Sequence, residues 1–211
     1  MRIRGVALLL LISVASAACA SRRTCCPPGA GTPGERAPVL AVDREAETKA
    51  VYVAVLRDLY LRDWLNREIE QFVIDPDVSA FEGGSDLVAR ERMPEARADT
   101  LADFEKPRLG TKLPSDLAPG RPVRWFSRAE FAALSKSSGL NDLGWTAFHE
   151  RFPGSGGHIT LSRVGFSSDR TEALVHAGRW FDSLGGAAQV VRLEKVGGTW
   201  QVKKRSTTVV S

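Results

Sequence analysis

Residues 145–211, WTAFHERFPGSGGHITLSRVGFSSDRTEALVHAGRWFDSLGGAAQVVRLEKVGGTWQVKKRSTTVVS, decide the fold of this chain. Trp145, Phe148 and Phe152 recur at intervals of three and four residues, so a helix would carry them on one face. Pro153 and the glycine-rich run after it end this helix, because proline lacks a backbone donor and glycine tolerates positive φ. We therefore predict a short helix with a buried aromatic face.

Four stretches of strand-forming residues follow the helix, at 158–166, 172–181, 187–196 and 199–210. Gly197 and Gly198 separate the last two and predict a tight hairpin. On one side of this hairpin, apolar residues occupy every second position (Val191, Leu193, Trp200 and Val202). The pattern predicts a four-stranded antiparallel meander whose dry face packs on the aromatic helix. In particular, we expect Leu193 and Trp200 to contact that helix.

The preceding part of the chain predicts helices with two short strands between them. A helix is expected from Asp43 to about Arg62, because its apolar residues recur with helical spacing and acidic residues crowd its first turn. Strands are expected at 72–74 and 123–126. The fold class is therefore α+β, with N-terminal helices followed by a meander, an order that is analogous to NTF2-like and cystatin-like folds.

Local signals place further helix ends and connections in this region. Pro94 predicts the first turn of a helix that runs to about Lys106. Ser127 and Glu130 form a capping-box pattern that opens another helix, and Asn141 is the predicted cap of the aromatic helix. We expect loops at 77–86 and at 108–122, and the sequence leaves open whether the second loop is ordered.

The N-terminus has the features of an export signal. Arg2 and Arg4 precede an apolar stretch that ends in small residues, so residues 1–18 are predicted to be a signal peptide. Ser16, Ala17, Ala18 and Cys19 resemble a bacterial lipobox, with Ser16 where that pattern usually has Leu. The resemblance implies lipidation of Cys19, attachment to a membrane and, because residue 20 is not Asp, the outer membrane. The alternative is ordinary cleavage after Ala18 or Ala20, which would release a soluble exported protein.

Residues 19–42 form the predicted anchor and linker, since residues 27–38 are rich in Pro and Gly and have too little apolar surface to fold. Cys25 and Cys26 lie in this linker. They could be incidental thiols, a vicinal disulfide, bonds to a partner or further acylation sites, and the sequence does not decide among these. Residues 43–211 contain no cysteine and are predicted to form a single domain.

The charge distribution argues against a nucleic-acid partner. Of the 29 basic residues, Arg2, Arg4, Arg22 and Arg23 precede residue 27, which leaves 25 basic against 25 acidic residues at positions 27–211. A neutral body without a Lys/Arg stripe lacks the electrostatic features of a nucleic-acid binder.

Two histidines are the main candidates for chemistry. His158 and His176 lie on neighbouring predicted strands and Asp169 lies in the turn between them, so the three could hold a metal ion or serve a hydrolase. Nothing in their spacing requires this, and no cofactor is predicted. Trp180 and Trp200 are expected to be core residues, although an exposed Trp could stack on a ligand.

Residues 152–178, FPGSGGHITLSRVGFSSDRTEALVHAG, and residues 193–202, LEKVGGTWQV, resemble the C-terminal half of a family of uncharacterised bacterial exported proteins and putative lipoproteins. The resemblance covers about residues 140–211, with a weaker match at 51–75. It implies a small α+β domain, no known activity and no catalytic residue. Where that pattern carries a Cys-Gly pair, this chain has Ser183, Leu184 and Gly185.

Together these observations predict an exported, lipid-anchored envelope protein without enzymatic activity. It would bind another envelope protein or a small ligand, either on the meander or in a cleft beneath the helices. The alternative function is a metal-dependent or hydrolytic enzyme that uses His158, His176 and a nearby Asp.

Overall fold

A mixed sheet organises the molecule. The computed structural model describes residues 43–62, 69–79, 85–106, 110–137 and 142–210, and within them the sheet has seven strands in the order β2-β1-β3-β5-β6-β7, with β4 also pairing with β5. Strand β1 is parallel to β2 and β3, and the other pairs are antiparallel. The strands are β1 (Phe72–Ile74), β2 (Val123–Trp125), β3 (His158–Leu161), β4 (Gly165–Phe166), β5 (Glu172–Trp180), β6 (Gly186–Val196) and β7 (Thr199–Val210).

The same ranges contain five α-helices: α1 (Arg44–Leu56), α2 (Ser85–Arg92), α3 (Ala98–Phe104), α4 (Arg128–Ser137) and α5 (Trp145–Arg151). Helix α1 begins after Asp43, whose side chain accepts a hydrogen bond from the Glu45 amide, and it continues into a π-helical segment, Arg57–Arg62. These elements confirm the α+β class. Of the helices in these ranges, none is long and apolar enough to cross a membrane.

Different helices cover the two faces of the sheet. In β5, Ala173, Val175 and Ala177 pack in one core cluster with α1, whereas Leu174 packs with residues of α2 and α3. This division arises because successive side chains of a strand point to opposite faces. The second face also carries α5 near β1, where its aromatic residues pack with Val73. The sheet is therefore the middle of three layers.

The predicted meander is confirmed, since β3, β5, β6 and β7 pair in succession and antiparallel. Its first predicted strand, 158–166, is split into β3 and β4. At the break, the Ser162 hydroxyl oxygen accepts a hydrogen bond from the His176 amide at 2.8 Å and donates one to the Arg163 carbonyl. A side chain thus replaces a carbonyl in the ladder, and the regular pairing is interrupted.

The prediction that the aromatic helix covers the dry face of the hairpin was wrong. Leu193 and Trp200 are buried, as predicted, but they pack with α1 residues such as Val51 and not with α5. The aromatic residues of α5 pack on the opposite face of the sheet, with Val73 and Phe126. Alternation along a strand shows which side is buried, but it carries no information about which helix covers that side.

Three local predictions also needed correction. Helix α3 begins at Ala98, and Pro94 lies in a preceding turn instead of the first helical turn. Helix α2 begins at Ser85, so the last two residues of the predicted loop 77–86 are helical. Helix α5 is preceded by Gly144 at φ 88°, and the Asp142 carboxylate accepts a hydrogen bond from the Thr146 amide; the predicted cap, Asn141, lies outside the described residues.

Other local predictions were confirmed. The Ser127 amide donates to the Glu130 carboxylate at 2.8 Å, and the Glu130 amide donates to the Ser127 hydroxyl at 3.2 Å, which is the predicted capping box. Residues 110–122 form an irregular connection that is anchored by buried Leu113 and Leu117. The predicted signal peptide, Cys19, Cys25, Cys26 and the linker all lie outside the described residues.

Candidate functional site

A pocket opens on the face of the sheet that carries α4 and α5. Its volume is about 520 Å³. The sheet, α4 and α5 all contribute lining residues: Arg128, Phe131, Ala132, Ser135, Trp145, His158, Thr160 and Trp180. Aromatic and apolar groups form most of its surface, and polar atoms are few, which is the usual composition of a small-molecule site.

Strands β3 and β5 form the floor of this pocket. His158 lies opposite Trp180 and Thr160 lies opposite Gly178, so all four positions belong to the same face of the sheet. A Cβ atom at Gly178 would lie 2.7 Å from Thr160 Oγ1 and 3.4 Å from Trp180 Nε1. The first distance is too short for a real contact, so Gly178 keeps open the space that both polar atoms border.

Hydrogen bonding fixes the tautomer of His158. Its Nε2 lies 2.8 Å from the Phe126 carbonyl oxygen, and a carbonyl oxygen can only accept, so Nε2 carries the proton. Burial lowers the pKa of His158, and the ring is therefore neutral at pH 7. In a neutral imidazole the other nitrogen is an acceptor. The pocket floor thus contains the acceptor Nδ1, the donor Trp180 Nε1 and the Thr160 hydroxyl.

These three polar groups have no hydrogen-bond partner among the described residues, although His158 and Thr160 are at most 7% exposed. None of the three polar atoms is among the fully buried, unsatisfied atoms of the described residues, so each can be reached from the pocket. A ligand or water in the pocket would satisfy them.

The aromatic side chains of the pocket wall also contact one another. The ring centroids of Phe131 and Trp145 lie 4.7 Å apart. Phe131 also stacks on the His158 ring, with centroids 5.8 Å apart and an interplanar angle of 19°. The Ser135 hydroxyl donates to the Leu143 carbonyl at 2.6 Å and so ties α4 to the turn before α5. The wall is thus built from side chains that also pack on one another, with α4 and the turn before α5 joined by a hydrogen bond.

The cation at the rim of the pocket is already neutralised. Arg128 Nε lies 3.2 Å from an oxygen of the Asp75 carboxylate, whose side chain is only 1% exposed. His158 is neutral as well. A charged ligand group would therefore find no free counter-charge among the lining residues, whereas a neutral ligand would need none.

The sequence-based candidates do not form one site. His158 lies in the pocket, but His176 lies four residues from Trp180 along β5, about 13 Å at the usual rise per residue. His176 Nε2 lies 3.1 Å from Thr208 Oγ1. Asp169 accepts a hydrogen bond from Arg97 at 2.7 Å, and this bond, with those from Ser167 and Thr171, lowers its pKa.

The metal-site hypothesis is therefore not supported by this arrangement. In the part of the chain that the structure describes, no three or more His, Cys, Asp or Glu residues are grouped so that they could hold a metal ion. Asp169 instead closes the turn before β5, where its carboxylate accepts from the Thr171 amide and hydroxyl.

Sequence reasoning found His158 and, as a possible stacking residue, Trp180. It did not find Phe131, Thr160 or the role of Gly178. The alternation within β3 places Thr160 on the same face as His158, but only the β3–β5 register brings Gly178 and Trp180 beside them.

Comparisons with protein-family models, with curated proteins and with solved structures give no significant match to this chain. The resemblance to a family of exported proteins therefore stays a prediction, and no residue role is transferred from a relative.

Proposed function

We propose that this chain is an exported binding protein that holds a small, neutral, flat molecule in the pocket between the sheet and helices α4 and α5. The observation that carries this proposal is the combination of an aromatic wall with three polar groups at the pocket floor, none of which has a hydrogen-bond partner among the described residues. A ligand that satisfies them gains hydrogen bonds in a concave, mostly apolar site.

The polar groups specify the ligand more closely. His158 Nδ1 requires a donor, Trp180 Nε1 requires an acceptor, and the Thr160 hydroxyl accepts or donates. The flat surfaces of Phe131 and Trp145 favour a ring that can stack or pack edge-to-face. The ligand class is therefore an uncharged aromatic or heteroaromatic ring with a substituent that both donates and accepts hydrogen bonds, such as a primary amide group.

The predicted leader indicates where in the cell this binding protein would act. Export by the signal at residues 1–18 and lipidation of Cys19 would tether the binding domain to the outer membrane through the linker 19–42. Mass spectrometry of the mature N-terminal peptide tests this part separately. A diacylated Cys19 supports it, whereas an unmodified N-terminus at Cys19 or Ser21 contradicts it.

The ligand class is tested with three probes that share one ring: benzamide, benzoate and toluene. Calorimetric or NMR titration should give saturable binding of benzamide, with weaker binding of toluene, which lacks the polar atoms, and of benzoate, which carries an unpaired charge. Equal binding of all three, or no binding of benzamide, would contradict the proposal.

Two substitutions locate the binding. Trp180→Phe removes the indole donor, and Thr160→Val replaces the hydroxyl with a methyl group of similar size. Each should weaken benzamide binding about three- to tenfold, the equivalent of one neutral hydrogen bond of roughly 0.5–1.5 kcal/mol. Trp125→Phe is the matched control on β2, outside the pocket, and should leave the affinity unchanged.

A further inference from the structure

Helix α1 has an apolar surface on the side that points away from the sheet. The opposite side packs in the core with residues such as Val51 and Leu56. The outward side carries four apolar residues, of which the first two are exposed and the last two are half-buried: Ala46, Ala50, Val53 and Ala54. A surface helix normally has polar residues on its outer side, and one that is apolar on both sides is normally covered on both. The outward side of α1 therefore has the composition of a contact surface.

A groove of about 580 Å³ lies between this side of α1 and the start of β7. Ala50, Val53 and Ala54 line it on the helix, and Trp200 and Val202 line it on the strand. Because the helical side chains are short, a second helix can approach α1 to about 8–10 Å between axes, the usual distance for packed helices. The groove leaves the outward side of α1 open to such a helix.

The charged residues at the two ends of α1 indicate the chemistry of the incoming helix. Asp43 precedes α1 and Arg57 follows it, and both are exposed. Asp43 accepts a hydrogen bond from the Glu45 amide, and Arg57 donates to backbone carbonyls. Neither has an oppositely charged partner among the described residues. Asp58, the other charged residue in the groove, pairs with Arg205. A fitting helix therefore has a cation near Asp43 and an anion near Arg57.

A second copy of α1 meets this requirement when the two helices run antiparallel. Asp43 and Arg57 each lie seven residues from Ala50, on opposite sides of it. An antiparallel pair centred on Ala50 therefore places Asp43 of each copy near Arg57 of the other. A parallel pair would bring like charges together, which is unfavourable. Lys49 lies next to Ala50 in the sequence, but it is already paired with two carboxylates.

We propose that this chain forms a homodimer in which the outward sides of two α1 helices pack antiparallel about a two-fold axis at Ala50. Such an interface is isologous, since the same surface of each copy forms it. A pair of 13-residue helices makes a small interface, so the association is weak and depends on protein concentration. The dimer is independent of the ligand pocket, because α1 and the pocket helices α4 and α5 cover opposite faces of the sheet.

Sedimentation of the predicted mature chain, residues 19–211, tests the association. Cys19 is replaced by Ser so that no lipid is attached, and a reducing agent keeps Cys25 and Cys26 from forming disulfides between chains. The mean mass should rise toward that of a dimer between about 5 and 500 µM, the range expected for a small interface. A monomeric mass over the whole range would overturn the proposal.

Substitutions then locate the interface. Ala50→Glu places a carboxylate of each copy at the two-fold axis and should weaken the dimer at least tenfold. Ala133→Glu is the matched control, because Ala133 is also exposed but lies on α4, on the other face of the sheet. Asp43→Asn keeps a good helix cap but removes the charge, so the dimer should weaken about three- to tenfold through the loss of two exposed charge pairs. Equal effects of the two Glu substitutions, or no effect of either α1 substitution, would overturn the proposal.

Disulfide trapping determines the direction of the two helices. In a chain whose three native cysteines are replaced by Ser, Ala50→Cys should form a cross-linked dimer on mild oxidation, because the two copies of residue 50 meet at the axis. Ala46→Cys should not, because antiparallel packing separates the two copies of residue 46 by eight residues, or about 12 Å along the helix. Efficient cross-linking of Ala46→Cys, or none of Ala50→Cys, would overturn the antiparallel arrangement.

Discussion

Replacement of Trp200 by Ala is the most informative test of how the meander is held to the rest of the molecule. Trp200 is 5% exposed, and its ring centroid lies 5.7 Å from that of Phe166. Its Nε1 donates to the Glu47 carboxylate at 2.6 Å, and Lys195 pairs with the same carboxylate. A single side chain thus fills the core and fixes α1 to the hairpin.

The expected cost follows from these contacts. Deletion of a large buried aromatic side chain costs about 3–5 kcal/mol, and the partly buried Glu47 loses one of its donors, which adds about 1–3 kcal/mol. A typical domain is stable by only about 5–15 kcal/mol, so we expect Trp200→Ala to be largely unfolded. Trp200→Phe keeps most of the volume and should lose about 1–3 kcal/mol.

Urea denaturation of the three proteins measures these differences. Leu184→Ala is the control, because Leu184 is 81% exposed and its truncation should change the free energy of unfolding by less than about 0.5 kcal/mol. If Trp200→Ala lost less than about 1 kcal/mol, the packing of the hairpin on α1 would not carry the stability assigned to it. Equal losses in the Phe and Ala variants would locate the whole effect in the Glu47 hydrogen bond.

Three further outcomes are expected. Burial lowers the pKa of His176 to about 4 from 6.5. The unfolded chain therefore takes up a proton at a higher pH than the folded chain does. The free energy of unfolding should fall by about 3 kcal/mol as the pH is lowered from 6.5 to 4. In urea titrations across this range, His176→Gln should flatten the dependence, and His158, whose pKa is also lowered by burial, should keep part of it; an unchanged slope would contradict this. Ser127→Ala removes the side-chain half of the capping box and should cost about 0.5–2 kcal/mol in thermal or urea unfolding. The half-buried Ser183 loses only a hydrogen bond to its neighbour Asp182, so Ser183→Ala should cost less; equal costs would refute the role of the cap. Gly178→Ala places a methyl group 2.7 Å from Thr160 Oγ1, so benzamide binding should fall at least tenfold in a calorimetric titration while the fold, checked by circular dichroism, is kept; undiminished binding would place the ligand elsewhere.

The strands of the meander could be predicted because their signals are local. The alternation of Val191 and Leu193 with charged residues, together with the two glycines at 197 and 198, is sufficient to place a hairpin. The helix that covers its dry face could not be predicted from such local signals. Trp145 and Val51 lie on two helices with similar apolar stripes, and only the three-dimensional path of the chain decides that Val51 covers Trp200.

The pocket illustrates the same limit. Phe131, His158 and Trp180 are separated by more than 20 residues each along the sequence, and only the register between β3 and β5 brings the last two together. Helix α2 escaped prediction because its sequence, SDLVARER, has too few apolar residues to display a helical period. Local patterns thus predicted the strands, and tertiary pairing created the site.

The indole N–H signals in a ¹H–¹⁵N spectrum test most directly whether the pocket holds a neutral ring through the groups at its floor. Addition of benzamide should shift the Trp180 signal downfield in a saturable manner, because its N–H gains an acceptor, and should also move the signal of Trp145. The signal of Trp200, which already donates to Glu47, should stay in place. If benzamide left the Trp180 signal unchanged, or moved those of Trp125 and Trp200 instead, the pocket would not be the binding site.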